Sequence, residues 1–338
     1  MKSKHINLAL FVPHQGCPRH CVFCNQHTVT GKEGNPLKAK DIDAAVQAAQ
    51  LDKISGRAGR EIAFFGGSFT AIDPDYMSEL LERAHKYVKS GLFDGIRIST
   101  RPDAIDSEVC QTLKRYGVAT IELGAQSMDD RVLAKNRRGH TAARVIDAAQ
   151  IIHGFGFDLG LQMMVGLHGS SGAAEALDTA KKLAALKPRC VRIYPTLILK
   201  ETELEKLYLQ GDYKPLPLNL AIDICADLLE FFDKKNIDVI RLGLHSSTLP
   251  RGFVAGPHHP AFGELCRSAL YLRSAMLAIE NMSRPTSSVL LTVAKNAVSQ
   301  MVGQERSNIK NLESQGYSCR VVGRDGLGKY EVLASARL

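Results

Sequence analysis

Cys17, Cys21 and Cys24, in the run Gly16-Cys-Pro-Arg-His-Cys-Val-Phe-Cys-Asn25, place three thiols within one short segment. Thiolates spaced three and then two residues apart can converge on one metal centre. A [4Fe–4S] cluster is normally held by four closely spaced cysteines. Three would leave one iron open to an exogenous ligand, and S-adenosylmethionine is the ligand expected here. The competing chemistry is a structural zinc site, a tetrahedral Cys₃His set completed by His14, His20 or His27. Spacing alone favours the cluster and leaves zinc open.

The chain that must position these thiols has 338 residues, 45% of them hydrophobic, enough for one large domain and a small one. Its composition excludes a fibrous or low-complexity protein. No apolar stretch approaches a membrane span and no charged-then-apolar leader opens the chain, so a cytoplasmic protein is expected. Lys and Arg number 43 against 35 Asp and Glu, a net charge of +8 that suits a nucleic-acid partner without requiring one. The other cysteines, Cys110, Cys190, Cys225, Cys266 and Cys319, are scattered singly, which predicts small core residues rather than a disulfide framework.

Short apolar runs at Asn7–Val12, Glu61–Phe65, Gly95–Ser99, Val118–Leu123, Asp158–Val165, Cys190–Tyr194 and Asp238–Leu242 read as strands. Amphipathic stretches such as Ala39–Ala49, Asp75–Val88, Ala142–His153 and Ala173–Leu186 lie between them. Apolar strands alternating with helices indicate parallel βα units. Asp73-Pro74 opens a helix, with Asp73 as N-cap and Pro74 at the first helical position. The expected fold is a full or partial (βα) barrel of about six parallel βα units with a small C-terminal α/β extension. The alternative is an open doubly wound sheet. In a barrel the chemistry sits at the C-terminal ends of the strands, and the three cysteines follow the first strand, at that face.

The alternation stops after about His245. Pro250–Pro260 is a Gly/Pro-rich connector whose His258 and His259 are expected to be ordinary turn residues rather than metal ligands. A helix follows over Phe262–Ile279. In the last segment Val289–Val293 reads as a strand, Ala294–Met301 and Ser307–Ser314 as helices separated by a tight Gly303-Gln-Glu-Arg306 turn, and Cys319–Val322 with Tyr330–Leu333 as a hairpin around Arg324-Asp-Gly326. The predicted organisation is residues 1–245 as the barrel, 246–286 as a connector with helix, and 287–338 as a small βααββ module. That order resembles a K-homology module, which clamps a nucleic-acid backbone with a GxxG loop. Arg306 stands where the second glycine would be, so the competing expectation is a cap or dimer contact.

Strand Glu61–Phe65 runs into Gly66-Gly67-Ser68-Phe69, and paired glycines at a strand end let backbone polar groups approach a ligand. Together with the CxxxCxxC segment this resembles the radical S-adenosylmethionine superfamily, where the glycine pair hydrogen-bonds the methionine amino group. The motifs Ser99-Thr-Arg-Pro-Asp103, Glu122-Leu-Gly-Ala-Gln-Ser127, Asn136-Arg-Arg-Gly-His-Thr141 and Arg192-Ile-Tyr-Pro-Thr-Leu197 follow in order. As a set they look like the radical domain of the Elongator catalytic subunit family, which modifies wobble uridines in tRNA. The match covers roughly Phe11 to Leu218.

The resemblance implies Cys17, Cys21 and Cys24 as ligands of a [4Fe–4S] cluster. It implies a cofactor site of Phe23 beside the adenine, Gly66 and Gly67 at the methionine moiety, and Ser99, Gln126, Arg138 and Gln162 as polar contacts. Ser99 stands where relatives often hold a ribose-binding carboxylate, with Thr100 or a water as its substitute. Two features depart from the Elongator pattern: the compact spacing between the first two cysteines, and a tail after His245 too short for the acetyltransferase domain. The resulting expectation is an enzyme that cleaves S-adenosylmethionine reductively to a 5′-deoxyadenosyl radical, with a flavodoxin or ferredoxin as electron donor and tRNA or another RNA as substrate. The rivals are a radical enzyme acting on a small metabolite and a non-catalytic zinc- or RNA-binding protein with the same barrel.

Overall fold

The structure, a computed structural model, describes residues 6–12, 17, 21–25, 36–49, 59–244, 252–283 and 286–337. Its main sheet joins β1 (Ile6–Val12), β2 (Arg60–Gly66), β3 (Gly95–Thr100), β4 (Val118–Gln126), β5 (Asp158–Val165), β6 (Cys190–Pro195) and, after a short β7 (Ile198–Leu199) outside it, β8 (Asp238–Leu242). Every neighbouring pair is parallel. The strands stand in chain order with β1 and β8 at the two edges, a curled half-barrel of seven strands. A doubly wound sheet would need a reversal of strand order, and this one has none.

The crossovers carry α1 (Ala39–Ala48), α2 (Pro74–Lys89), α3 (Ser107–Arg115), α4 (Asp130–Lys135), α5 (Ala142–Gly154), α6 (Ala173–Ala185), α7 (Glu203–Gln210) and α8 (Leu218–Lys234). The Asp73 carboxylate accepts the Tyr76 N–H at 2.9 Å with Pro74 in the first turn, and Asp106 caps α3 through Val109 at 2.8 Å. Alternate strand residues such as Ile62, Phe64, Ile98, Ile121, Leu161 and Ile193 are fully buried in one core with the helices. The intervening positions are different in kind. Glu61, Arg97, Thr120, Glu122, Gln162 and Arg192 come one after another across the concave face, bonded to one another. The strands are therefore apolar on one face and polar on the other, not apolar throughout.

The Gly/Pro-rich connector contributes β9 (Phe253–Ala255), which pairs antiparallel with β7, before the long α9 (Phe262–Glu280). His259 behaves as a turn residue, its Nδ1 accepting the Ala261 N–H at 3.0 Å. Cys225 and Cys266, expected to be isolated, meet across α8 and α9 as buried neighbours; no described cysteine forms a disulfide.

Beyond α9 come β10 (Ser288–Ala294), α10 (Val298–Val302), α11 (Ser307–Ser314), β11 (Ser318–Arg324) and β12 (Leu333–Ala336). The expected hairpin between the last two strands is not formed. β10 lies between them, parallel to β11 and antiparallel to β12. Val289, Leu291 and Val293 of β10 are fully buried, whereas β11 and β12 are largely exposed, so the most apolar strand takes the centre. The two-helix crossover supplies the length that a parallel pair needs. This sheet shares a second core with Tyr271, Ala275 and Ile279 of α9.

Candidate active site

The cysteine segment is held from beneath by elements distant in sequence. Val22 is buried with Ile198, Leu204 and Tyr213, and Phe23 packs half-buried against the same cluster. The Val22 N–H donates to the Asn136 carbonyl at 3.3 Å, and the Val22 carbonyl accepts the Leu204 N–H at 2.8 Å. Asn136, fully buried, is itself fixed by donating to the Val132 and His168 carbonyls. The Asn136–His140 segment is therefore the bed of the cysteine loop, a role its sequence does not advertise.

Cys21 is buried, and Cys17 and Cys24 are half-buried. Burial and the nearby Cys21 and Cys17 thiols push the Cys24 thiol up to about 12, with Arg138 pulling the other way. The three sulfurs thus lie within one another's field, although among the described residues no three side chains form a closed metal-holding group. His14, His20 and His27 of the zinc alternative fall outside the described residues.

Among the described residues Arg138 donates directly to one of the thiols. Its Nη1 donates to Cys21 Sγ at 3.0 Å and its Nη2 to the Gly124 carbonyl at 2.7 Å. These bonds use two of its five N–H donors, and its Nε has no partner among the described residues. Among its basic neighbours Arg131 is exposed, while Arg138 is buried. Arg101 supports it by donating to the Arg138 carbonyl at 2.7 Å while it grips Asp103 through two bonds. His140, buried beside this pair, is pushed down to about 4 by burial and by the Arg138 charge.

Gln126 ends β4 in a left-handed conformation, φ 68°, next to a register shift, and folds its amide over Gly124. A Cβ on Gly124 would stand 2.9 Å from Gln126 Nε2 and 3.4 Å from Arg138 Nη2, so the glycine leaves room for the Gln126 amide where it lies. Gln126 Oε1 and Arg138 Nε are buried without a hydrogen-bond partner among the described residues. Two buried polar atoms held open beside three cysteines fit a polar cofactor at a cluster.

Gly66 has a local reason to be glycine: at φ 119° an added Cβ would lie 2.4 Å from the Val12 carbonyl oxygen. Gly67 follows, its N–H 3.4 Å from that same oxygen, and with Val12, Phe65, Phe69, Ile72 and Ser99 it lines a crevice at the strand ends. Ser99 accepts a long bond from Gln162 at 3.4 Å. Thr100 does not replace a carboxylate there, because its hydroxyl is engaged by Ser68 and Thr70 on the other face of β3. Phe23 and the three cysteines come from the cysteine segment, and the other expected site residues from strands, strand ends or the Asn136–His140 bed. Sequence reasoning passed over Gly124, Asn136, Arg101 and Asp103 as site-builders, although all four stand in motifs it singled out.

The Radical SAM superfamily profile matches residues 11–183, and the Radical_SAM C-terminal domain profile matches residues 188–271. An uncharacterized protein of Methanocaldococcus jannaschii is 30% identical over 230 residues, 64% of this chain and 68% of that one. A tRNA uridine(34) acetyltransferase of the same organism is 26% identical over 261 residues, 65% of this chain and 47% of that one. Proteins named Elongator complex protein 3 also match. The chain spans about half the length of the acetyltransferase relatives it matches. The solved structure of the archaeal Methanocaldococcus infernus Elp3 shares the fold, with a TM-score of 0.64 at 21% identity over 81% of this chain and 64% of that one. The half-barrel, the cysteine loop at its strand ends and the profile matches together establish that the chain belongs to the radical S-adenosylmethionine superfamily of enzymes.

Proposed function

We propose that Cys17, Cys21 and Cys24 hold a [4Fe–4S] cluster and that Phe23, Gly66, Gly67, Ser99, Gln126, Arg138 and Gln162 form the receiving site for S-adenosylmethionine. When bound, this pair supplies one-electron cleavage of the sulfonium to methionine and a 5′-deoxyadenosyl radical that abstracts hydrogen from substrate. The chain's own part is to hold and orient. Arg138 donates to the Cys21 sulfur and so fixes its orientation at the site. Gln126 offers a buried amide oxygen with no other partner among the described residues. Phe23 packs against the apolar cluster of Val22, Ile198, Leu204 and Tyr213. The Arg138–Cys21 contact carries this reading, because a buried guanidinium on a cysteine sulfur suits a metal-bound thiolate better than a structural thiol.

The proposed substrate is tRNA or another RNA. The names of the acetyltransferase relatives, the net charge of +8 and the separate C-terminal sheet support it. In this reading residues 1–245 are the radical barrel, 246–286 the connector with helix and 287–338 the accessory module, and a flavodoxin or ferredoxin delivers the electron. Protein reconstituted without oxygen is expected to bind iron and sulfide and to release 5′-deoxyadenosine when strongly reduced. Cys17→Ala, Cys21→Ala and Cys24→Ala should each lose both properties, while Cys110→Ala keeps them. Stoichiometric zinc in place of iron, or normal cleavage by any of the three variants, overturns the assignment. Sequencing RNA crosslinked to the anaerobic protein tests the substrate class.

A further inference from the structure

Gln126 carries its amide on a strained backbone. The Ser127 N–H donates to the Ala125 carbonyl at 2.9 Å around Gln126, whose φ is 68°. A bond that closes over one residue of positive φ makes the rare, strained form of γ-turn. A non-glycine residue stays in such a conformation only where its surroundings over-determine it. Those surroundings are built on Glu175, a buried acid that lies outside the expected cofactor site.

Glu175 stands in the first turn of α6 and is 6% exposed. Its Oε1 accepts the Ser127 hydroxyl at 2.6 Å and the Thr179 hydroxyl at 2.8 Å, and its Oε2 accepts the Ser170 hydroxyl at 2.8 Å. A carboxylate only accepts, so it draws all three hydroxyl protons towards itself and leaves their oxygens free to accept in turn. The loops use them. Ser127 accepts the Asp129 N–H at 3.1 Å, Thr179 the Met128 N–H at 2.9 Å, and Ser170 the Gly172 N–H at 3.1 Å. One side chain thereby ties the exit of β4 and the loop after β5 to α6. Ser127 and Thr179 are fully buried, so no water competes for these bonds.

We infer that Glu175 is a positioning residue for the cofactor: through Ser127 it holds the γ-turn from which Gln126 presents its unpartnered Oε1. The inference rests on the proposed S-adenosylmethionine site and adds to it a residue that touches neither cofactor nor cluster.

The test uses the full chain, reconstituted without oxygen and left unreduced so that S-adenosylmethionine binds without being cleaved. Its dissociation constant is measured by equilibrium dialysis, with iron content determined on the same samples. Gln126→Ala should weaken binding about fivefold, the worth of one hydrogen bond. Glu175→Ala should weaken it to a similar extent at unchanged iron, and Glu175→Gln, whose amide oxygen can still accept from the hydroxyls, should recover most of the loss. The double variant Gln126→Ala with Glu175→Ala should bind no more weakly than Gln126→Ala alone, because the two act as one unit. Should Glu175→Ala lose iron or fail to fold, Ser127→Ala, which removes only the linking hydroxyl, replaces it in the same cycle. Losses that add in the double variant, or affinity untouched by both Glu175→Ala and Ser127→Ala, would overturn the positioning role and leave the cofactor site standing. An unaltered chain that binds no S-adenosylmethionine, or a Gln126→Ala chain that binds it normally, would bring down the Gln126 assignment and this inference with it.

Discussion

At the scale of single residues, Arg138 is where chemistry and sequence part company. Its motif marks the residue, but its partner, Cys21, lies 117 positions away, a separation no local pattern encodes. If Cys21 ligates the proposed cluster, a positive charge on its sulfur stabilises the reduced, more negative state. Arg138→Met, similar in length and uncharged, is expected to lower the cluster's reduction potential by about 50 mV, the equivalent of roughly 1 kcal/mol for one charge-assisted hydrogen bond. A redox titration followed by electron paramagnetic resonance checks this, and Arg138→Lys should recover part of the shift. A potential unmoved in Arg138→Met would reduce the contact to packing. His140 gives a second residue-scale outcome. Its folded form, pushed down to about 4 from 6.5 by burial and the Arg138 charge, resists a proton that the unfolded chain accepts. The stability it contributes is therefore complete above pH 6.5 and lost as pH falls towards 4, by at most about 3 kcal/mol. The metal-free chain should show this acid loss in denaturant titrations, and His140→Gln should remove that share. Equal acid slopes for the two proteins would exclude His140 as the source.

At the scale of elements, all seven strands of the main sheet were legible because each carries a short apolar run between turn or helix signals. Asp158–Val165 and Asp238–Leu242 agree with the structure at both ends. The polar layer inside them was not read, although a charged or amide side chain interrupts each of β2 to β6, as at Glu61, Arg97, Glu122, Gln162 and Arg192. A run that is apolar on average hides a period-two pattern with a single polar member. The pairing order of the C-terminal strands was hidden for another reason: proximity in sequence favours a hairpin, while burial favours β10 at the centre. The interior network yields a stability prediction. Glu122 accepts from both Arg97 and Arg192, so Glu122→Gln keeps the shape and strands two buried guanidiniums with weaker partners. The expected loss is about 3–5 kcal/mol, read from a lowered urea midpoint at unchanged slope. An unchanged midpoint would mean that water or rearrangement already serves these charges.

At the scale of the whole molecule, the C-terminal sheet is bound to the barrel through α9. Asn308 donates to the Ser268 carbonyl at 2.9 Å and the Met301 carbonyl at 3.1 Å, Tyr271 accepts the Tyr330 N–H at 3.2 Å, and Lys329 bridges to Asp233 of α8. These bonds set the turn between α10 and α11 against α9 while leaving the side chain of Arg306 64% exposed, its nearest carboxylate Glu313 at 3.8 Å. Glu305 and Arg306 both take positive φ, 51° and 63°, so the turn is held in a conformation that glycine would adopt more readily. A charge presented on an ordered turn can meet a phosphate in place of the close backbone approach that a second glycine would give. If this module engages RNA, Arg306→Glu weakens binding and flattens its dependence on salt by about one unit of slope, the release of one fewer counterion. The alternative, a module that only caps the barrel or joins two copies, leaves affinity and slope unchanged and moves sedimentation or stability instead. Binding isotherms at several salt concentrations, with sedimentation of the same variant, separate the two, and unchanged isotherms would leave RNA recognition to the barrel alone.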